Sequence, residues 1–237
     1  MDWTAQTAVV TGGTEGIGLA LVERLLAHGA RVAFCARTEA RVTEQCARLA
    51  APGHTLVGAP CDVRKPEEVE RFARRVLHDL GTPTILVNNA GVARFVPLVE
   101  MSVEDWDLVM DTNLRGMFLV SRAFLPAMLT AGRGTIVNVS SLAGRNPVPD
   151  AAAYAASKHG VLGFSKSLMM ELRKLGVRVI AVCPGSVDTP FFAKSGSRNP
   201  DRARILAAED VAQAILDAVA LPERALISEL DIRPANP

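Results

Sequence analysis

At 237 residues, with 26 Lys and Arg against 25 Asp and Glu, a formal charge of +1 and a pI near 7.7, the chain has the length of one large α/β domain and lacks the basic footprint of a nucleic-acid binder or of a protein drawn to anionic membranes. The start Met1-Asp2-Trp3-Thr4 carries no basic segment ahead of an apolar one, and no uninterrupted apolar run approaches the ~20 residues of a membrane span, so a cytoplasmic protein is expected. Cys35, Cys46, Cys61 and Cys183 form no Cys-x-x-Cys pair and do not cluster with the four histidines, which favours reduced thiols over disulfides or a metal site.

Short β-branched or apolar runs alternate with longer helical patterns from end to end. A strand over 7–11 leads through a glycine-rich turn into a helix over 17–27, and strands over 31–36 and 55–59 precede helices over 39–49 and 66–80. Lys65-Pro66-Glu67-Glu68 places proline and acids in the first turn of the last of these. A strand over 84–88 precedes a long helix over 103–129, opened by Ser102-Val-Glu-Asp105 in the form of a capping box. A strand over 135–140, a helix over 152–175, a strand over 177–182, a helix over 209–220 and a strand over 226–232 complete the series. The middle strands are near-continuous apolar runs, as in Ile85-Leu86-Val87 and Ile136-Val137, which is the pattern of a parallel sheet covered on both faces. The expected fold class is therefore α/β, a doubly wound parallel sheet with helices on both faces, in a single domain over 1–237. The stretch 190–204, rich in Pro, Gly, Ser and charge, reads as a mobile loop.

Directly after the first strand, Thr11-Gly-Gly-Thr-Glu-Gly-Ile-Gly18 has the form of a phosphate cradle. Gly12 permits a tight turn, Gly16 lets the backbone approach a pyrophosphate, Gly18 allows helix and strand to pack closely, and the helix N-terminus offers amides to the anion. The spacing Gly-x-x-x-Gly-x-Gly departs from the Gly-x-Gly-x-x-Gly dinucleotide fingerprint, so the position between a strand and a helix carries the reading. Farther along, Tyr154-Ala-Ala-Ser-Lys158 sets a phenol and an ammonium on one helix face. The charge would bring the phenol from a pKa of ~10 toward the working range and make a proton-transfer pair, whereas a lysine stem packed over a ring is the plainer alternative at this spacing. Asn113 interrupts the apolar pattern Leu108, Val109, Leu114, Met117, Phe118, either as a buried amide bonded to backbone or as part of a site.

These glycines, together with Asn88-Asn-Ala-Gly91 after the fourth strand, Asn113, Ser141, the run from Tyr154 to Lys158 and Pro184-Gly185, resemble the short-chain dehydrogenase/reductase family over essentially the whole chain. The resemblance implies a single-domain Rossmann fold with a seven-stranded parallel sheet, a bound nicotinamide dinucleotide, and a homotetramer assembled through the helices over 103–129 and 152–175. On those helices Met117, Phe118, Val161, Leu162, Phe164, Leu168 and Met169 exceed what one core-facing stripe needs. It further implies cofactor contacts from Gly12, Thr14, Gly16, Ile17 and Gly18, from Asp62 and Val63 at the adenine, from Asn88, Ala90 and Gly91 at the adenosine ribose, and from Pro184, Gly185, Val187 and Thr189 at the nicotinamide end. Where NAD-preferring relatives carry an acid at the end of the second strand, this chain has Ala36 followed by Arg37 and Thr38, a pair suited to a 2′-phosphate, so NADP(H) is expected over NAD(H). Glu15 runs against this expectation, because many NADP-binding relatives place a basic residue there.

For the chemistry, the resemblance implies Tyr154 as proton donor to a ketone or aldehyde carbonyl and Ser141, thirteen residues before it, as the hydroxyl that holds the reacting oxygen, with Ser140 the adjacent alternative. Lys158 would bind the nicotinamide ribose and lower the tyrosine pKa, and Asn113 would anchor a water leading to the lysine. The expected activity is NADP(H)-dependent reduction of a small-molecule carbonyl. A 3-oxoacyl-carrier-protein reductase is an alternative, with Arg133, Arg173 and Lys174 offered to an acidic carrier; a non-catalytic NADP(H)-binding protein is another, disfavoured by the presence of both Tyr154 and Lys158. Substrate contacts are expected from 92–96, 142–149 and the loop 186–204, which supply Phe95, Phe191 and Phe192 and the cations Arg94 and Arg145.

Overall fold

The structure, a computed structural model, describes residues 1–196 and 201–235; residues 197–200 of the expected substrate loop lie outside the described residues. In chain order the elements are β1 (Thr7–Thr11), α1 (Gly16–Ala27), β2 (Arg31–Ala36), α2 (Glu39–Leu49), β3 (Leu56–Pro60), α3 (Pro66–Asp79), β4 (Ile85–Asn88), α4 (Val103–Met110), α5 (Gly116–Ala131), β5 (Gly134–Val139), α6 (Ala152–Leu172), β6 (Val177–Pro184), β7 (Val187–Asp188), α7 (Phe191–Ser195), β8 (Leu206–Ala207), α8 (Ala208–Ala220) and β9 (Glu229–Ile232). Seven strands form one parallel sheet in the order β3-β2-β1-β4-β5-β6-β9. The chain winds outward in one direction from β1 to β3 and in the other from β4 to β9, so a crevice opens at the carboxyl ends of β1 and β4 where the winding reverses.

The pleat sends alternate side chains to opposite faces, and both faces are apolar. Val10, Ile85, Val87 and Val137 pack with α1 and α8 through Leu21, Leu25 and Ile215, whereas Val9, Leu86 and Ile136 pack with α3 and α5 through Phe72, Phe124 and Met128. Phe72 and Phe124 meet edge to face at 6.0 Å. This double burial is why the central strands carry no polar alternation.

Two features depart from the expected elements. The helix over 103–129 is divided by a π-turn, Asp111–Arg115, which buries Thr112 and Asn113 between α4 and α5; such widened turns concentrate at functional sites. Ser102 caps α4 by accepting a hydrogen bond from the Asp105 amide at 3.1 Å. By length and composition alone the helical run Val103–Ala131 matches a membrane-crossing helix, although charges interrupt its apolar sequence. Its buried face against the sheet (Val120, Phe124, Met128) accounts for that composition, and the exposed Glu104, Asp107, Arg115 and Arg122 give it a wet face. Second, β7 and β8 pair in a small parallel sheet that closes the base of the substrate loop; strands of two residues leave no periodicity to read.

Candidate active site

The crevice is a cleft of about 810 Å³ whose floor is the glycine-rich turn. Gly12 and Gly16 have φ of +70° and +54°, the left-handed region that favours glycine. A Cβ at Gly16 would lie 3.0 Å from the Thr189 methyl, and one at Gly18 would drive into the Gly12 carbonyl and stand 2.5 Å from Asn89 Nδ2. No side chain caps α1, so its first-turn amides lack a side-chain acceptor, and Thr14, Gly16 and Ile17 at its start line the cleft. Val63, Ala90, Gly91, Pro184, Gly185, Val187 and Thr189 line the same cleft, as do Arg37 and Thr38 at its rim. A narrow glycine floor, an open helix N-terminus and a rim arginine fit an elongated, phosphate-bearing dinucleotide. Glu15 is neutralised where it stands, by Arg41 at 2.5 Å and by Lys194.

Four residues expected at the site do not line this cleft. Gly18 acts beneath the turn, by admitting the backbone of Gly12. Asn88 is buried in the sheet, where Nδ2 donates to Ser121 Oγ and Asn138 Oδ1, each at 2.9 Å, while Asn138 Nδ2 donates to Ser165 Oγ. Its neighbour Asn89 lines the cleft instead and ties the two halves of the fold together, donating from Nδ2 to the carbonyls of Thr11 (3.0 Å) and Gly12 (3.3 Å). The Asp62 carboxylate is taken up by Arg64, whose Nε and Nη2 lie at 2.9 and 2.5 Å, and that hydrogen-bonded guanidinium holds its pKa below the usual range; Cys61 and Val63 reach the cleft in its place. Asn113, the fourth, lies behind the reacting end. Asn89 could have been found from its place one residue beyond β4, where the sheet's face no longer dictates burial. Thr11 carried no such signal: its hydroxyl accepts from the amides of Asn89 and Ala90, both at 3.0 Å.

At the reacting end, α6 presents Tyr154 and Lys158, and the end of β5 presents Ser141. The Ser141 hydroxyl accepts from the Ala143 amide at 3.1 Å and hydrogen-bonds the Tyr154 phenol. Ser140 is excluded from that role because its hydroxyl donates to the Lys158 carbonyl at 3.0 Å. Phe95 and Phe191 stand against the tyrosine ring, centroids 5.8 and 5.7 Å away. Burial pushes the phenol up to about 12, opposed by the Ser141 hydrogen bond. The Lys158 ammonium lies 5.7 Å from the ring centroid, donates to the Val139 carbonyl at 2.9 Å, and is itself driven down to about 8 by burial. Asn113 clamps the segment after β4 from both sides, accepting from the Val92 amide at 2.8 Å and donating to its carbonyl at 2.9 Å and to Ser157 Oγ at 3.0 Å. Gly91 separates it from the lysine, with Asn113 Oδ1 and Lys158 Nζ 3.3 and 3.6 Å from where a Cβ would sit.

On the substrate side the two cations named as contacts are committed elsewhere. Arg94 pairs with Asp105 at 2.8 Å and donates to the Lys194 carbonyl, and Arg145 pairs with Glu229 and, at 2.8 Å, with Asp231. Away from the cleft, a groove of about 450 Å³ runs between Met110, Leu114, Phe118, Gly160 and Phe164. Of the apolar residues counted as surplus on these helices, Met117, Val161, Leu162 and Leu168 are core; Phe118 is 44% exposed, and Phe164 and Met169 are half-buried.

Residues 6–200 match the model of the short chain dehydrogenase family. The chain is 44% identical over 191 residues to the "Putative ketoacyl reductase" of Streptomyces coelicolor, covering 80% of this chain and 73% of that protein. Among solved structures it is similar to a metagenomic short-chain oxidoreductase in complex with NADP, with a TM-score of 0.86, 37% identity and complete coverage of both chains. It is similar as well to a variant of actinorhodin polyketide ketoreductase with NADPH, with a TM-score of 0.89, 34% identity and coverage of 98% and 97%.

Proposed function

The chain belongs to the short-chain dehydrogenase family, and on that premise we propose that it is an NADP(H)-dependent oxidoreductase that reduces a ketone or aldehyde carbonyl to an alcohol. The observation that carries the reading is the junction of half-buried Ser141 with buried Tyr154 and Lys158 at the end of a glycine-floored cleft. The nicotinamide supplies the hydride when bound. Tyr154 gives its proton to the carbonyl oxygen, and Ser141, its lone pair held by the Ala143 amide, donates a hydrogen bond to that oxygen as charge develops. Lys158 offsets the charge left on the phenol, and Asn113 holds the backbone at Val92 against α6 so that the cluster keeps its spacing.

Preference for the 2′-phosphorylated cofactor is supported by Arg37 and Thr38 at the rim and by the pairing of Glu15, which removes the objection that an unpaired acid would raise; the NADP and NADPH held by similar structures agree. Residues Gly12, Thr14, Gly16, Ile17, Val63, Ala90, Gly91, Pro184, Gly185, Val187 and Thr189 are proposed as its contacts. The groove flanked by Phe118 and Phe164 supports self-association of α5 and α6 into a homotetramer, and we place the enzyme in the cytoplasm. A carrier-bound 3-oxoacyl substrate is the second reading, favoured by the ketoacyl reductase relative and by exposed Arg133, Arg173 and Lys174, none of which is ion-paired among the described residues. A carbonyl-substrate screen run side by side with NADPH and NADH tests the reading. It expects reduction of at least one ketone or aldehyde with higher kcat/KM for NADPH; binding of NADPH with no turnover across a broad panel contradicts it.

A further inference from the structure

We propose that the substrate is an uncharged ketone bearing a flat apolar group, an aryl ketone by chemical class, and that Phe95 and Phe191 are its specificity-determining residues; the inference rests on the carbonyl-reductase reading above. Tyr154 is set in a satellite core of Ala93, Val109, Ala143, Ala151 and Ala153, completed by Phe95, Val148 and Phe191. The ring planes of Phe95 and Phe191 are tilted 44° and 52° to the phenol, and both side chains line the cleft where a further planar group could meet them. The two walls come from segments 96 residues apart in sequence, yet one backbone bond holds them in register: the Phe95 amide donates to the Ser195 carbonyl at 2.8 Å. Arg94, donating to the Lys194 carbonyl at 3.2 Å, ties the same helix α7 to the same segment.

The charges around this slot decide the rest. Arg94 is paired with Asp105, Arg145 with Glu229 and Asp231, and Lys194 with Glu15, while the Lys158 ammonium donates to the Val139 carbonyl. A carboxylate attached close to the carbonyl would therefore lose its water among apolar walls without gaining an uncommitted cation from Arg94, Arg145 or Lys194. A ring loses little water and meets two aromatic side chains that line the cleft.

The test compares acetophenone, cyclohexyl methyl ketone and acetoacetate with the full chain and NADPH. We expect kcat/KM for acetophenone to exceed that for acetoacetate by at least about a hundredfold and that for cyclohexyl methyl ketone by about tenfold. Phe95→Ala and Phe191→Ala should each lower the acetophenone value about tenfold, chiefly through KM, while Phe→Leu at the same positions keeps the fold and restores cyclohexyl methyl ketone more than acetophenone. NADPH affinity, read by fluorescence titration, should not change in any of the four variants. Acetoacetate reduced as well as acetophenone, or equal losses on all three ketones in the alanine variants, would overturn the inference while leaving the carbonyl-reductase reading standing. Failure to turn over any ketone in a broad panel despite NADPH binding would overturn both.

Discussion

The two sides of the cleft are built on different principles. On the cofactor side, Gly12, Gly16, Gly18 and the uncapped start of α1 act through backbone in one turn just after β1, braced by Asn89 and Thr189. On the substrate side, Phe95, Arg94, Phe191 and Lys194 act through side chains whose segments are tied to partners 100 to 179 positions away in the chain. The contrast teaches where specificity resides: the backbone-made side defines what class of molecule is held, and the side-chain-made rim defines which member is accepted. Ser141, Tyr154 and Lys158 sit between them, on rigid elements belonging to the sheet and α6.

Substitutions can break this division at several strengths. Ser141→Ala removes a hydrogen-bond donor aimed at the reacting oxygen, and kcat should fall about 10²–10³-fold with NADPH affinity unchanged, by steady-state kinetics and fluorescence titration. Gly18→Ala presses a methyl into the Gly12 carbonyl, a backbone atom that cannot step aside. It should cost about 1–3 kcal/mol of stability in denaturant unfolding and weaken NADPH binding, although Gly18 does not line the cleft.

The pH dependence tests the central cluster. Lys158 is lowered to about 8 and Tyr154 raised to about 12, so as pH rises the lysine loses its charge first while the phenol keeps its proton. In the reductive direction kcat/KM for the ketone should therefore be level below pH ~8 and fall about tenfold per unit above it. The smallest effect belongs to the rim: Lys194→Gln breaks a half-exposed pair with Glu15, and NADPH affinity and Tm should shift by no more than about 1 kcal/mol equivalent, provided Arg41 still neutralises the acid.

The same division explains what could be read in advance. The seven strands of the main sheet, the glycine turn and the pair Tyr154 and Lys158 all announce themselves through local periodicity or spacing, and the structure brings them together as expected. The ion pairs of Arg94 and Arg145 are not legible in advance, because their partners, Asp105 and the acids of β9, are brought near only by the folded topology. Asn88 and Asp62 were misplaced for a related reason: an amide or carboxylate at a strand end reads alike whether it faces the cleft or, as with Asn138 and Arg64, a neighbour. The upward push on the tyrosine pKa is not legible in advance, because the spacing of Tyr154 and Lys158 says nothing of the rings of Phe95 and Phe191 that bury it.

The account turns on Tyr154 being the proton donor rather than a packing residue. The most direct measurement is NADPH oxidation with a reducible ketone by wild type and Tyr154→Phe, with NADPH affinity measured on both. We predict a loss of about 10³-fold or more in kcat with affinity unchanged. A variant that retains more than about a tenth of wild-type kcat would contradict the assignment.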